Sequence, residues 1–199
     1  MSSVLKTTHS DSTTATKMLV GFSGLGRSGK DTAGAYLIAK GYRHGSFAIH
    51  LKRALAAMFG MSLEEVEYWK QNDDANVPGF NMTMRVMQQT LGTEWGRDII
   101  DPDCWVKLTE REFDTANTPM VITDVRFENE AKWIRSRGGL VCHLRREDRT
   151  AINNASHVSE AGINIPHGDD AVIDNNGTLD DLYASIEALR EHYDWLVNE

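Results

Sequence analysis

The chain has 199 residues, 41% hydrophobic and 25% charged, the composition of an ordinary globular protein with room for one α/β domain. Its formal charge of −8 argues against wrapping polymeric nucleic acid, which needs a broad basic surface. No apolar run approaches membrane-spanning length. Cys104 and Cys142 lie far apart and outside any C-x-x-C, which argues against a disulfide framework or zinc site and fits a reducing cytoplasm.

Residues 1–17 are Ser/Thr-rich without an apolar signal core and read as a flexible tail; residues 18–199 then form a single domain. MLVGFSG at 18–24 reads as a buried strand running into a loop. GLGRSGKDT follows at 24–32. Gly24, Gly29 and Lys30 are in frame with the phosphate loop G-x-x-x-x-G-K-[ST], but Asp31 stands where the hydroxyl that faces Mg²⁺ belongs, and Thr32 comes one place later. Such a loop turns successive backbone N–H groups onto phosphate oxygens, and the helix behind it adds its N-terminal dipole. The spacing predicts that helix over Lys30–Lys40, with Gly41 as its cap. Strand, loop and helix therefore come in the order a nucleotide site needs.

Farther along, a brief strand is expected around Ser46–Ala48 and a helix from Ile49 to Phe59. A second helix should start at Ser62, with Glu65 completing a capping box. Residues 72–81 read as a loop. MTMRVMQQTLGTEWGRDI reads as helical to Leu91 and broken at Gly92, and an amphipathic helix is expected from Asp103 to Asn117. PMVITDVRF at 119–127 is a second buried strand. A helix from Glu128 to Arg137 precedes a third strand at 140–144. The polar stretch from Arg145 to Asp170 shows one short helical pattern around Ser156–Gly162. A last strand and turn fall at 170–177, and Thr178 caps a helix with Leu179, Leu182, Ile186 and Leu189 on one face. Strands alternating with helices imply a parallel sheet of about five strands with helices on both faces, a three-layer α/β sandwich of the P-loop NTPase type. Ligands of such sheets bind at the carboxyl ends of the strands, where Gly24 and Asp124 both fall.

Asp124 ends an apolar strand, the place of a Walker-B acid that binds Mg²⁺ directly or through water. Moving a phosphoryl group onto a second anion needs fixed cations, and arginine with its permanent charge and planar fork suits that task. Arg126 and the set Arg145, Arg146 and Arg149 follow strand ends, while Arg85 and Arg97 flank QQTLGTEWG. Trp69, Trp95 and Trp105 offer rings for a base, with core packing the preferred reading of Trp69. The histidines form no metal motif, and His157 reads as a surface or capping residue.

GLGRSGKDTAGAYL, SFAIHLK, RVMQQTLGTEWGR, VITDVRFENEA, HVSE and VIDNNGTLDDL, in this order, resemble the deoxynucleoside monophosphate (dNMP) kinases of tailed bacteriophages over roughly residues 18–190. The resemblance implies a P-loop kinase that moves the γ-phosphoryl group of ATP to a dNMP with Mg²⁺, in the host cytoplasm. It implies that Gly24, Gly26, Arg27, Ser28, Gly29, Lys30, Asp31 and Thr32 bind the donor phosphates, with Asp31, Thr32 and Asp124 toward the metal. Lys52, Arg85, Gln89, Thr93 and Arg97 would face the acceptor, in a helical region over about 49–100, and Trp105, by its ring alone, is a further candidate to contact the dNMP. Asp124, Arg126 and Arg145 would sit beside the transferring group. Arg145 and Arg146 would open a lid over about 145–160, and Asn175 and Gly177 would lie near the adenine. The helices at 49–91 offer a surface for a homodimer. Other readings stay open at this point: a P-loop kinase acting on hydroxymethylated bases in phage DNA, a small-molecule kinase of coenzyme A or mevalonate metabolism, or a nucleotide-binding module without turnover.

Overall fold

The computed structural model describes residues 18–72, 74–147, 163, 168 and 170–197. The expected N-terminal tail, most of the lid, the short helix at Ser156–Gly162 and His157 lie outside the described residues. Five parallel strands form one sheet: β1 (Leu19–Ser23), β2 (Arg43–Gly45), β3 (Met120–Val125), β4 (Leu140–Arg145) and β5 (Ala171–Asp174), in the order β2-β3-β1-β4-β5. The central strand β1 is apolar up to its last residue, Ser23, and fully buried, as a strand covered on both faces must be.

Alternate residues of the strands feed two cores. Leu19, Met120, Ile122 and Val141 point to one face, where α2 (Ala48–Phe59), α5 (Cys104–Thr115) and α6 (Glu128–Ser136) supply Leu51, Leu55, Phe113, Trp133 and Ile134. Val20, Phe22, Val121 and Cys142 point to the other, where α1 (Lys30–Ala39) supplies Ala33 and Leu37 and the last helix, α7 (Leu179–Val197), supplies Leu182 and Ile186. The result is the expected three-layer sandwich. Gly34 lets α1 approach the sheet closely, since a Cβ there would meet Thr123 Cγ2 at 2.2 Å.

The local signals act as their chemistry predicts. Ser62 Oγ accepts from Glu65 N and Glu65 Oε2 accepts from Ser62 N, a complete capping box at the start of α3 (Leu63–Gln71). Thr178 Oγ1 accepts from Asp181 N at 3.2 Å. Of the expected apolar face of α7, Leu182 and Ile186 are buried and Leu189 packs against them, whereas Leu179 is exposed. Cys142 is a buried strand residue whose thiol burial pushes up to about 12; Cys104 is half-buried, and both are free thiols.

Two expectations are corrected. The second strand is Arg43–Gly45, not Ser46–Ala48. At Ser46 the chain meets the Asp124 carboxylate, which turns it into α2 instead of letting it run on beside β3. The helix α4 (Met84–Thr90) also does not break at Gly92. It widens into a π-helical segment, Leu91–Ile100, whose terminal Asp101 N–H bonds the carbonyl of Gly96 five residues back. Gly92 is buried close to Leu51, so its lack of a side chain serves packing rather than termination. Its carbonyl takes Trp105 Nε1 at 2.8 Å and Arg97 Nη1 at 2.9 Å, partners that no regular α-helix would need.

Candidate active site

The loop Gly24–Gly29 joins the carboxyl end of β1 to the first residue of α1. Gly24 has φ 141° and Gly29 φ 107°, and at both a side chain would collide as well as strain the backbone. A Cβ on Gly24 would meet the Leu144 carbonyl at 2.3 Å, and one on Gly29 would meet Asn175 Nδ2 at 2.4 Å. Arg27, with φ 61°, and Gly26 form the exposed crest. Lys30 folds back on its own loop, donating to the carbonyls of Gly24 at 2.8 Å and Leu25 at 2.7 Å. An ammonium held by two loop carbonyls sits at the mouth of the loop, ready to exchange them for phosphate oxygens. The open N–H groups of the first turn of α1 face the same way. Ser28 Oγ is buried without a partner, the kind of orphan that a bound phosphate oxygen satisfies.

Asp31 and Thr32 share that first turn, with Asp31 exposed and Thr32 half-buried. Asp124 is the last residue but one of β3, the strand beside β1. Its carboxylate accepts from Ser46 Oγ at 2.7 Å, Phe47 N at 3.1 Å and Ala48 N at 2.9 Å, so it closes the amino end of α2 from a neighbouring strand. Among the described residues no group of three or more acidic, histidine or cysteine side chains is gathered for a metal. Mg²⁺ that is held mainly by phosphates and water needs only one or two carboxylates, and the hard oxygen donors of Asp31, Thr32 and Asp124 fit it.

Cations gather where α2, α3 and α4 pack together. Lys52 of α2 pairs with Glu67 of α3 at 2.8 Å. Lys70, which the sequence reading passed over, lies 3.7 Å from the same carboxylate. Its pKa is lowered by burial and by the positive charge of Lys52, with Arg126 and Arg85 adding to the effect. Thus α2, α3, α4 and the turn after β3 bring Lys52, Lys70, Arg85 and Arg126 into one field. Gln89 and Thr93 are half-buried farther along the same helix.

Arg97 is engaged from three directions. It donates to Glu130 Oε1 at 2.7 Å and to the Gly92 carbonyl, and its guanidinium lies 3.9 Å from the centre of the Phe127 ring. Glu130, also missed from sequence, is fully buried and accepts from the backbone N–H groups of Arg126 and Phe127. Burial pushes its carboxyl up to about 7. Through Glu130 the turn that carries Arg126 is fixed to the π-helical segment. Trp105 requires a correction: it is 5% exposed, its N–H is spent on Gly92, and its ring fills the space left by Gly96. It therefore packs the core and offers no stacking face, while Trp95 is 48% exposed. Trp69 packs partly buried against the core, as preferred.

At the ends of β4 and β5, Arg145 and Arg146 are exposed. The Asn175 N–H donates to the Arg145 carbonyl at 2.7 Å, and Asn175 Nδ2 donates to the Ser28 carbonyl at 2.9 Å. Gly177 lies against Asp181 at the start of α7.

A protein-family model described as deoxynucleotide monophosphate kinase matches residues 68–186, more than half of the chain. The chain belongs to the deoxynucleotide monophosphate kinase family. A protein of Acanthamoeba polyphaga mimivirus that carries this kinase name is 33% identical over 184 residues, 85% of this chain and 94% of the relative. The deoxynucleotide monophosphate kinase of Escherichia phage RB69 is 33% identical over 111 residues, 54% of this chain and 44% of that longer protein. The crystal structure of TT1252 from Thermus thermophilus shares the fold of this family member, with a TM-score of 0.53 over 88% of this chain and 97% of that one at 17% identity. Membership makes the chain an ATP-dependent nucleotide kinase of the P-loop type. No described helix is long and apolar enough to cross a membrane.

Proposed function

We propose that this kinase transfers the γ-phosphoryl group of ATP to a dNMP, giving ADP and dNDP, in the cytoplasm of an infected cell. The observation that carries the reading is the position of Asp124: its strand pairs with the one that runs into the phosphate loop, and its carboxylate closes the amino end of α2, the helix that carries Lys52. A donor and an acceptor phosphate held there would meet in line at the carboxyl ends of β1 and β3.

Lys30 leaves the Gly24 and Leu25 carbonyls for the β- and γ-phosphates, within a cradle formed by Gly24, Gly26, Arg27, Ser28 and Gly29. Mg²⁺, when bound, would supply charge neutralisation to the phosphates. Asp31, Thr32 and Asp124 are the residues that would hold it. Lys52, Arg85 and Arg126 neutralise the acceptor, and Gln89 and Thr93 lie within the same wall. Arg97 acts through Glu130, keeping the Arg126 turn in place. Arg145 and Arg146 open the lid, whose closure excludes water. Asn175 and Gly177 form the side nearest the nucleoside of ATP. The acceptor oxygen needs little general-base help, because a phosphate monoester with a second pKa of about 6 is already mostly dianionic at neutral pH. The helical region over 49–100 and the lid over 145–160 are then parts of a single domain, and a homodimer would use the helices at 49–91.

The acceptor is decided with labelled ATP, offered free dNMPs in one reaction and hydroxymethylated DNA in another. Label in dNDP supports the proposal, and label in DNA supports the polymer reading instead.

A further inference from the structure

Glu67 stands between two lysines. Lys52 Nζ reaches its Oε2 at 2.8 Å from α2, and Lys70 Nζ lies 3.7 Å from its Oε1 on α3 itself. The lysine side chains are 22% and 28% exposed, so both are largely covered without being sealed from solvent. The charges of Arg126 and Arg85 act on Lys70 as well. Bringing these cations together costs free energy through mutual repulsion, and a shared carboxylate offsets part of it. That carboxylate carries one charge and two oxygens. A phosphate monoester dianion carries two charges and three oxygens, and it makes stronger charge-assisted hydrogen bonds to the same ammonium groups.

We propose that Lys70, together with Lys52, grips the phosphate of the acceptor nucleotide, and that Glu67 is a stand-in anion that the incoming phosphate displaces. The inference rests on the dNMP kinase reading. Glu67 keeps the lysines apart and charged while the site is empty, and it makes acceptor binding a competition. With its side chain 38% exposed, it can turn to solvent when displaced. Affinity for the acceptor is then lower than the cations alone would give, because each binding event first breaks the Lys52–Glu67 contact.

The test compares Glu67→Gln, Lys70→Met and Lys70→Arg with the wild type. Inorganic phosphate is titrated into each by calorimetry, and KM for dNMP and for ATP is measured separately. Glu67→Gln is expected to tighten phosphate and lower KM for dNMP by about two- to fivefold, the scale of one partly exposed ion pair. Lys70→Met is expected to weaken both by about tenfold, the loss of one charge-assisted hydrogen bond, and Lys70→Arg to recover most of that loss. KM for ATP should move far less in all three. Unchanged or weaker phosphate binding in Glu67→Gln overturns the stand-in role. Unchanged KM for dNMP in Lys70→Met overturns the grip. Should the wild type phosphorylate no dNMP at all, the kinase reading fails, and the phosphate titration still decides whether Glu67 and Lys70 compete for and bind a phosphate.

Discussion

The side-chain amide of Asn175 donates to the carbonyl of Ser28 at 2.9 Å, so the end of the last strand holds the phosphate loop across 147 residues of sequence. The backbone N–H of Asn175 is itself held by the Arg145 carbonyl. Asn175 therefore fixes the loop from outside, on the side where a Gly29 side chain would stand. Replacing Asn175 with Ala removes one hydrogen bond worth about 1 kcal/mol, which corresponds to roughly a fivefold rise in KM for ATP. KM for dNMP should barely change. Steady-state kinetics with each substrate varied in turn checks this, and an equal rise in both constants would count against a role confined to the loop.

Gly29→Ala should be more severe. The left-handed φ of 107° costs a non-glycine residue about 1–2 kcal/mol, and its Cβ would meet Asn175 Nδ2 at 2.4 Å. ATP binding measured by calorimetry should be lost while the helical circular dichroism remains. An alanine variant that binds ATP normally would show that the loop relaxes freely.

The strand–loop–helix unit was legible because its signals are local: an apolar run, in-frame glycines, a lysine and a helix behind them. The strands β1, β3 and β4 and the caps at Ser62 and Thr178 were readable for the same reason. What sequence could not show depends on distant partners. Arg43–Gly45 is a short polar edge strand with no apolar run to announce it. Ser46 bends away because Asp124, 78 positions later, accepts its hydroxyl. Gly92 looks like a helix stop until Leu51 and Trp105 are seen packed around it. Lys70 carries no local signal, and only the tertiary fold sets it beside Lys52, Arg85 and Arg126.

Glu130 makes stability depend on pH. Its carboxyl is raised by burial from an ordinary 4.5 to about 7, so the native state keeps a proton that the unfolded chain releases. That contribution is fully present below about pH 4.5 and is lost as pH rises through 7. The limit is on the order of 3 kcal/mol. Urea unfolding at pH 5 and pH 8 should show a smaller difference for Glu130→Gln than for the wild type. Equal differences in the two proteins would place the charge of Glu130 in a better-solvated setting than its burial implies.

Gly96→Ala tests the packing assigned to Trp105. The added Cβ would lie 2.6 Å from the indole ring, and such overpacking costs about 1–3 kcal/mol. The thermal midpoint should fall, and Trp105→Phe should restore part of the loss in the double variant. No recovery would indicate that the backbone carbonyl of Leu91, 2.9 Å from the same Cβ, is the obstacle.

The central claim is that a phosphate loop built around Lys30 delivers the γ-phosphoryl group of ATP to a free dNMP. The most direct measurement is to resolve the nucleotide products formed from ATP, Mg²⁺ and each dNMP in turn, with wild type and with Lys30→Ala. The account predicts that at least one dNMP is converted to dNDP with matching formation of ADP, and that Lys30→Ala loses most of this turnover while remaining folded. ATP binding without dNDP from any dNMP, or near-wild-type turnover by Lys30→Ala, would contradict it.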